Sequence, residues 1–297
     1  MLFSQNQANN RPGTAGVGEK SILALAAHSP SHILFTGRST TRADSLLNTL
    51  NSQFPTTAFT FIPLDLASLA SIQVGSRQLL TMIAKLDILI CNAGIMAVPP
   101  GLTEDGYEIQ FGTNFLGHAL LVKLLLPLLL GTAKQPDADV RVVFLTSAGY
   151  AGHPIGGILF PSLKTPQSKI GILGPWQRYG QSKLALILYA RELARRYGEQ
   201  GLLAISVHPG VYKTGLVTGL GWGQRAFVTV ANAWRFGEEG DMASNSCWAA
   251  TGKREGVENG GFYLPVGVRG KKVRENENMV LAGALWEYTE KELEGFN

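Results

Sequence analysis

Short apolar runs rich in β-branched and aromatic residues alternate along this chain with longer stretches of helical periodicity. This alternation is typical of a parallel sheet with helices on both faces, because parallel strands need a crossover connection. We therefore predict an α/β fold, a doubly wound parallel sheet, in one domain over residues 1–297. The predicted strands are His32–Thr36, Ala58–Pro63, Leu86–Cys91, Arg141–Thr146, Leu203–His208 and Gly261–Leu264. The predicted helices are Glu19–His28, Thr41–Asn51, Leu66–Ala84, Tyr107–Leu130, Trp176–Tyr197 and about Asn276–Glu294.

Composition excludes several other classes of protein. Hydrophobic residues make up 45% and charged residues 16% of the 297 positions, which suits a large core and is unlike a disordered chain. The net charge of +4 comes from scattered Lys and Arg residues, so no basic stripe predicts a nucleic acid partner. The two cysteines, Cys91 and Cys247, are too few for a disulfide framework. Because the first residues also lack a signal-peptide pattern, we expect a cytoplasmic protein.

The most apolar window of the chain runs from Phe111 to Leu130 and contains Asn114, His118, Lys123 and Pro127. A helix that spans a membrane needs ~20 mostly apolar residues, and ionisable residues inside it are costly. We therefore predict a buried helix of a soluble protein here, and no integral membrane segment.

Tyr179 and Lys183 lie four positions apart in the segment YGQSK, near the start of the predicted helix Trp176–Tyr197. At this spacing the two side chains share one face of the helix. A phenol, with an ordinary pKa of about 10, is a weak acid–base catalyst at neutral pH, but a neighbouring ammonium favours the phenolate. We therefore expect Lys183 to lower the pKa of Tyr179. The spacing alone is weak evidence, since a buried tyrosine beside a lysine stem is an ordinary core arrangement.

Further polar residues follow predicted strands. Ser147 comes just after one strand, the turn Asn92–Gly94 follows another, and Pro209–Thr214 follows a third. Asn114 lies in the helix after the Asn92–Gly94 turn. Each of these alone is an ordinary cap or turn. Because the carboxyl ends of parallel strands form the ligand-binding edge of such sheets, their shared position indicates one functional site.

In this combination the chain resembles the short-chain dehydrogenase/reductase family, over about residues 13–265. The segments YGQSKLALILYARELARRYG and HPGVYKTGL are most similar to the retinol-dehydrogenase-like group and its fungal relatives. The resemblance implies a single Rossmann-type domain, a nicotinamide cofactor, and interconversion of a carbonyl and an alcohol by direct hydride transfer.

The resemblance also implies roles for the matched residues. Tyr179 is expected to be the general acid in reduction and the base in oxidation. Ser147 would hydrogen-bond the same substrate oxygen and stabilise developing alkoxide charge. Lys183 would hold the nicotinamide ribose, and Asn114 would support a water-linked proton relay to that lysine. Thr214 matches the residue that contacts the nicotinamide carboxamide.

At the adenosine end of the cofactor the sequence predicts NADP(H). The strand His32–Thr36 is followed by Gly37 and Arg38, where NAD-preferring members of the family carry an acid. A guanidinium pairs with a 2′-phosphate that a carboxylate would repel, so we expect NADPH to be preferred over NAD. The alternative is a solvated loop arginine. The resemblance also places Asp65 at the adenine edge and Asn92 beside the adenine-side ribose.

The N-terminal segment departs from the family pattern Thr-Gly-x-x-x-Gly-x-Gly. Aligning Gly16 and Gly18 with its last two glycines places Pro12 at the first, and Gly13 comes one residue late. Proline lacks the N–H and fixes φ, so a turn that cradles pyrophosphate would have to adjust. Residues 1–10 are mostly polar, and we expect the first, central strand to be degenerate or missing.

Two explanations compete for this departure. The chain may begin late or be mis-spliced, with the true strand upstream, an explanation favoured by the intact remainder of the site. Alternatively, the protein is a catalytically silent Rossmann-fold binding protein with an impaired cofactor loop. The candidate cofactor-loop residues are Gly13, Gly16 and Gly18.

Two irregular segments, at about residues 151–175 and 216–241, follow predicted strands, and we expect them to line the substrate pocket. Both are apolar with little clustered charge, which suits a small lipophilic carbonyl or alcohol. The resemblance to fungal relatives favours a substrate of secondary metabolism. The alternatives are plain surface loops, or aromatic residues that rest on a membrane surface.

The predicted helices Tyr107–Leu130 and Trp176–Tyr197 are apolar nearly all round, so a face remains once each packs on the sheet. The family resemblance makes a homodimer or tetramer through these helices the expectation, and burial under the chain's own residues the alternative. The five histidines and two cysteines show no metal-ligand spacing, so no metal site is predicted. No Gly-x-Ser-x-Gly motif supports a serine hydrolase.

Overall fold

The computed structural model describes residues 1–4, 16–171, 173–210 and 239–296. Its strands are β1 (Leu2–Ser4), β2 (His32–Gly37), β3 (Ala58–Pro63), β4 (Ile88–Cys91), β5 (Val140–Leu145), β6 (Leu202–Val207), β7 (Phe262–Leu264) and β8 (Val268–Arg269). Together they form one sheet in the order β3-β2-β1-β4-β5-β6-β7-β8. Neighbouring strands are parallel from β3 through β7, and β8 is antiparallel to β7.

Helices connect the parallel strands, as the alternating pattern predicts. The α-helices are α1 (Val17–Ala26), α2 (Thr40–Gln53), α3 (Leu69–Met82), α4 (Ile109–Phe111), α5 (Gly117–Ala133), α6 (Gly174–Tyr197), α7 (Ser244–Thr251) and α8 (Met279–Glu292). A π-helix, Gly112–Leu116, joins α4 to α5. Short 3₁₀-helices occupy Ala148–Gly152, Phe160–Ser162, Gly198–Gln200 and Glu239–Ala243. The six strands and six helices predicted from the sequence are present with shifted ends, whereas β1, β8 and α7 were not predicted.

The first, central strand, expected to be degenerate or missing, is present as a short strand of three residues. Leu2–Ser4 pairs in parallel with β2 on one side and with β4 on the other. The N-terminal ammonium donates to the His32 carbonyl (3.2 Å), and the Met1 carbonyl accepts from the Leu34 N–H (2.9 Å). Leu2 is fully buried. Backbone pairing on both edges and the buried Leu2 side chain therefore stabilise this strand. The polar residues that follow it in the sequence made it hard to predict.

Successive strand residues alternate between two hydrophobic cores on opposite faces of the sheet. Ile33 and Phe35 of β2 belong to the core with α1, α2 and α7, whereas Leu34 belongs to the core with α3, α5, α6 and α8. Val142 and Val143 of β5 divide in the same way. This alternation places helices on both faces and confirms the predicted doubly wound parallel sheet.

The most apolar helical stretch, Ile109–Ala133, is long and apolar enough to cross a membrane by length and composition. In this structure 61% of its most apolar window is buried against the rest of the chain. Asn114 and His118, two of the polar residues that interrupt the window, are fully buried. A core helix of a soluble protein meets the same criteria, so the stretch is weak evidence for a membrane span.

The outer surface of α6 is covered by the chain's own C-terminal helix. Trp286 of α8 stacks on Tyr189 of α6, with ring centroids 5.1 Å apart. The guanidinium of Arg196 lies 4.4 Å from the centre of the Trp286 ring. Part of the α6 surface for which the sequence analysis expected a partner subunit is therefore covered by α8. The homodimer or tetramer remains a prediction.

Replacing Leu2 by alanine tests the short central strand. The fully buried side chain would leave a cavity in the core between the sheet and its helices, so we expect a loss of about 2–4 kcal/mol in the free energy of unfolding, measured by urea denaturation. The matched control is Val74→Ala, because Val74 is 65% exposed and its loss should change stability by less than about 0.5 kcal/mol. Equal effects of the two substitutions would contradict a packed β1.

Candidate active site

Strand β5 and helix α6 bring Ser147, Tyr179 and Lys183 together at the carboxyl edge of the sheet. Ser147 begins the 3₁₀-helix after β5, and its hydroxyl accepts from the Gly149 N–H at 3.0 Å. The Ser147 and Tyr179 side chains are neighbours, since a β-carbon on Gly149 would stand 3.2 Å from the Ser147 Oγ and 3.1 Å from the Tyr179 ring. The Lys183 ammonium lies 5.8 Å from the centre of the Tyr179 ring. The four-residue spacing therefore places both side chains on one face of α6, at the end of β5.

The end of β5 holds Lys183 at two points. Its ammonium donates to the Leu145 carbonyl at 2.9 Å, and its own carbonyl accepts from the Thr146 hydroxyl at 2.8 Å. Lys183 is only 5% exposed. None of the ion pairs in the described part of the chain includes it. A buried ammonium in this position is costly, and such groups are concentrated at functional sites.

Burial dominates the electrostatics of the Tyr179–Lys183 pair. Desolvation raises the pKa of the Tyr179 phenol to about 12, and the Ser147 hydroxyl opposes this rise only in part. Desolvation also lowers the pKa of the Lys183 ammonium to about 7. The expected lowering of the Tyr179 pKa by Lys183 is not found in this structure, because burial dominates and raises that pKa. The phenol keeps its proton at neutral pH.

Asn114 lies in the π-helix and connects two parts of the site. Its side-chain Nδ2 donates to the Ile95 carbonyl and to the Ser182 hydroxyl, each at 2.9 Å. Its Oδ1 accepts from the Ile95 N–H at 2.7 Å. Since Ser182 precedes Lys183 on α6, Asn114 ties the turn after β4 to the helix that carries the lysine.

At Gly94, in the turn after β4, the backbone lies close to the Asn114 and Lys183 side chains. A β-carbon at this position would stand 3.2 Å from both the Asn114 Oδ1 and the Lys183 Nζ. Any larger residue would therefore displace one of these polar groups. Asn92, at the start of the same turn, is half-buried directly after β4.

A buried ion pair fixes the start of α6. The Nε of Arg178 lies 3.2 Å from the Oε1 of Glu108, and both side chains are at most 1% exposed. The other carboxylate oxygen of Glu108 accepts from the N–H groups of Gln110 (3.0 Å) and Phe111 (2.7 Å), which caps α4. Because Arg178 directly precedes Tyr179, the pair aligns the start of α6 with the helix that leads into Asn114.

The residues predicted for the adenosine end lie at the carboxyl ends of β2 and β3. The Nη1 of Arg38 lies 3.9 Å from the Oδ2 of Asp65, and the two side chains are 43% and 34% exposed. The Oδ1 of Asp65 accepts from the Ala67 N–H at 2.9 Å. Arg38 and Asp65 are thus neighbours, separate from the Ser147–Tyr179–Lys183 group.

Helix α1 begins at Val17, so Gly16 is its N-cap and Gly18 lies in its first turn, two residues before the predicted start at Glu19. Among the described residues no side chain caps this helix, and a β-carbon on Gly16 would meet none of their atoms within 4 Å. An open, uncapped helix N-terminus is suited to a phosphate. Gly13, Pro12, Thr214 and most of the predicted substrate loop 216–241 lie outside the described residues.

The first predicted substrate segment, 151–175, is described except for residue 172. It carries the 3₁₀-helix Phe160–Ser162 and ends in the first turn of α6. Within this segment Ile158 and Leu163 are buried, whereas Ile155 is 96% exposed.

Within the described residues, no group of three or more His, Cys, Asp or Glu side chains could hold a metal ion.

Sequence reasoning missed four residues that shape the site: Glu108, Arg178, Ser182 and His118. Hydrophobic periodicity carries no signal for a buried ion pair. Ser182 and His118 had a weak signal, because Ser182 is adjacent to Lys183 and His118 follows Asn114 by one helical turn within an apolar run.

Comparison with known proteins shows the family. The family model for short chain dehydrogenases matches residues 12–156. An uncharacterized oxidoreductase of Schizosaccharomyces pombe is 38% identical over 204 residues, which cover 68% of this chain and 59% of that relative. A short-chain dehydrogenase/reductase of Armillaria gallica is 34% identical over 282 residues, which cover 94% of this chain and 87% of the relative. The chain belongs to the short-chain dehydrogenase/reductase family.

A solved structure of NADPH-bound carbonyl reductase from chicken fatty liver matches with a TM-score of 0.63. It is 22% identical, and the match covers 91% of this chain and 98% of that one, which shows the shared fold. Membership of this family makes the protein an NAD(P)-dependent oxidoreductase.

Substituting Lys183 by methionine tests the buried ammonium without a substrate. Because the folded pKa is lowered to about 7 from about 10.4 in the unfolded chain, the unfolded state binds more protons between these pH values. Stability of the natural protein should therefore rise with pH across this window relative to Lys183→Met. We expect the variant's advantage in Tm to shrink by several degrees between about pH 7 and about pH 10.

Lys123→Met is the matched control, since Lys123 also donates to a backbone carbonyl, that of Leu293 at 3.0 Å, but keeps 22% of its side chain exposed. A Tm difference for Lys183→Met that does not change with pH would show that the ammonium is not desolvated.

Proposed function

We propose that this protein is an NADP(H)-dependent reductase of a small lipophilic aldehyde or ketone. The observation that carries the proposal is the buried phenol of Tyr179, which lies beside Ser147 and Lys183. These three groups supply a proton donor, a second hydrogen-bond donor for the same oxygen, and a nearby cation.

The residues of the site fit a nicotinamide dinucleotide. The N-terminus of α1 at Gly16, which no described side chain caps, would take the pyrophosphate, and Arg38 with Asp65 would face the adenosine. Lys183 would hold the nicotinamide ribose, and Asn92 lies between these two ends, directly after β4. A bound NADPH supplies the hydride that reduces the substrate carbon.

In the proposed reaction Tyr179 donates its proton to the carbonyl oxygen as that oxygen gains negative charge. Ser147 donates a hydrogen bond to the same oxygen, which stabilises the developing alkoxide. A pKa of about 12 for Tyr179 leaves the phenol protonated at neutral pH, which is the form that reduction needs. Oxidation, the reverse reaction, would need the phenolate as the base.

The preference for NADPH is argued from Arg38. Its guanidinium is 43% exposed at the end of β2, where it can reach a 2′-phosphate and pair with it in two parallel hydrogen bonds. The similar chicken carbonyl reductase holds NADPH in its structure, which supports the same choice here. Asp65, 3.9 Å from Arg38, would keep the guanidinium oriented.

The lipophilic substrate class is argued from the segment 151–175. It contains no acidic residue and two lysines, Lys164 and Lys169, and Lys164 is paired with Glu292 at 2.6 Å. Apolar residues with few fixed charges suit an uncharged substrate better than a phosphorylated or acidic one. The proposal includes a role in fungal secondary metabolism, on the similarity to oxidoreductases of fungi.

Tyr179→Phe removes the proton donor and keeps the ring. We expect kcat/KM for NADPH-dependent reduction of the best substrate in a panel of aliphatic and aromatic aldehydes and ketones to fall about 100- to 10,000-fold. NADPH binding, followed by tryptophan fluorescence, should persist. Tyr189→Phe is the control, because Tyr189 lies on the same helix but packs in the core against Trp286. Undiminished turnover in Tyr179→Phe would refute the proposed chemistry.

Arg38→Asp tests the choice of cofactor. An acid in place of the guanidinium would repel the 2′-phosphate, so the ratio of kcat/KM with NADPH to that with NADH should fall about 10- to 100-fold. Arg77→Asp makes the same change of charge on the exposed side of α3 and should leave the ratio unchanged. An unaltered ratio in Arg38→Asp would remove the basis for NADP(H) preference.

A further inference from the structure

His118 is a buried histidine that the proposed reaction does not use. It lies at the start of α5, is fully buried, and its Nδ1 is 2.8 Å from the backbone carbonyl oxygen of Asn114. Because a carbonyl oxygen only accepts hydrogen bonds, Nδ1 must carry the hydrogen. The bond therefore selects one tautomer of the ring, with Nε2 as its acceptor atom.

This bond lies at the end of the π-helix. The Gly117 N–H donates to the Gly112 carbonyl, five residues back instead of four, so the turn departs from the regular pairing of N–H and C=O groups along an α-helix. The ring of His118 donates to a carbonyl of this turn, that of Asn114, and so ties the turn to the start of α5.

The carbonyl of Asn114 belongs to the residue whose side chain joins the site together. The same residue donates to Ile95 and to Ser182, the neighbour of Lys183. Ser182 in turn donates to the Tyr179 carbonyl at 2.8 Å. His118, Asn114, Ser182 and Tyr179 thus form one buried chain of hydrogen bonds behind the reacting group.

His118 is also close enough to Lys183 to respond to its charge. Burial lowers the pKa of His118 to about 4, opposed by the bond to the Asn114 carbonyl, and the ammonium of Lys183 acts in the same direction as burial. The ring is therefore neutral at physiological pH, and its Nδ1 proton stays in place while protons move at Tyr179 and Lys183.

We propose that His118 is a positioning residue for the reduction: its Nδ1–H fixes the Asn114 carbonyl in the π-turn, and thereby the geometry of Tyr179 and Lys183. This inference rests on the proposed function. It predicts an effect on the chemical step rather than on binding, because His118 lies behind the site and is fully buried.

Three substitutions separate this role from simple packing. The variant His118→Asn places an amide N–H where Nδ1 was, whereas His118→Gln places its amide at the position of Nε2. His118→Leu keeps bulk and offers neither. We expect His118→Leu to lower kcat about 10- to 100-fold, with KM for the aldehyde or ketone and Kd for NADPH within about twofold of the natural protein. His118→Asn should recover most of kcat, and His118→Gln should not.

The opposite results are equally distinct. Natural kcat in His118→Leu, or rescue by glutamine but not by asparagine, would overturn the proposal. So would losses of kcat that follow the fall in Tm in all three variants, because that pattern indicates packing alone. If Tyr179→Phe keeps full turnover, the proposed function fails, whereas loss in Tyr179→Phe with natural kcat in His118→Leu removes only the role of His118.

A second measurement needs neither substrate nor cofactor. ¹⁵N NMR of protein labelled at its five histidines reports the tautomer of each ring, and the signal lost in His118→Asn identifies His118. We expect a neutral ring with hydrogen on Nδ1 that does not titrate between about pH 5 and pH 8. A ring with hydrogen on Nε2, or one that titrates in that range, would overturn the proposal whatever the activity.

Discussion

The burial of one ammonium group, that of Lys183, is the constraint on which the site depends. This ammonium donates to a backbone carbonyl, that of Leu145, at 2.9 Å. Removing a cation from water costs several kcal/mol unless other groups compensate. The neighbouring residues are arranged around this charge. Gly94 has no side chain, so the backbone can approach the ammonium. The Thr146 hydroxyl donates to the backbone carbonyl of Lys183. Burial lowers the pKa of Lys183 to about 7, which makes it a group that can exchange protons near neutral pH.

The sheet converts distant sequence positions into one rigid frame around this charge. The parallel order of β1, β4 and β5 places the residues that follow β4 and β5 side by side. The Glu108–Arg178 pair then sets the start of α6, and Asn114 joins that helix to the turn after β4. Rigid elements of this kind hold reacting groups more precisely than loops do. The π-helix is a local departure from regular structure, and such departures are frequent at functional sites.

Much of this arrangement was predictable from the sequence, because strand periodicity and the ends of parallel strands place Ser147, Tyr179 and Lys183 at one edge. Three features were not. The three-residue strand β1 is too short for a periodic signal, and its stability comes from pairing on both sides. The direction of the pKa shift of Tyr179 depends on burial, which spacing alone does not give. The π-turn that interrupts the predicted helix Tyr107–Leu130 leaves no signal in hydrophobic periodicity, because the residues on both sides of it continue the same apolar run.

The most direct test of carbonyl reduction at this site traces the hydrogen transferred from NADPH to the substrate. NADPH carrying deuterium at the transferred position of the nicotinamide ring, incubated with the protein and the best aldehyde or ketone, should give an alcohol with one deuterium on the former carbonyl carbon. Mass spectrometry of the product would show it. An unlabelled alcohol, or bound NADPH with no alcohol formed from any carbonyl, would contradict the account of Tyr179, Ser147 and Lys183 as a carbonyl-reducing site.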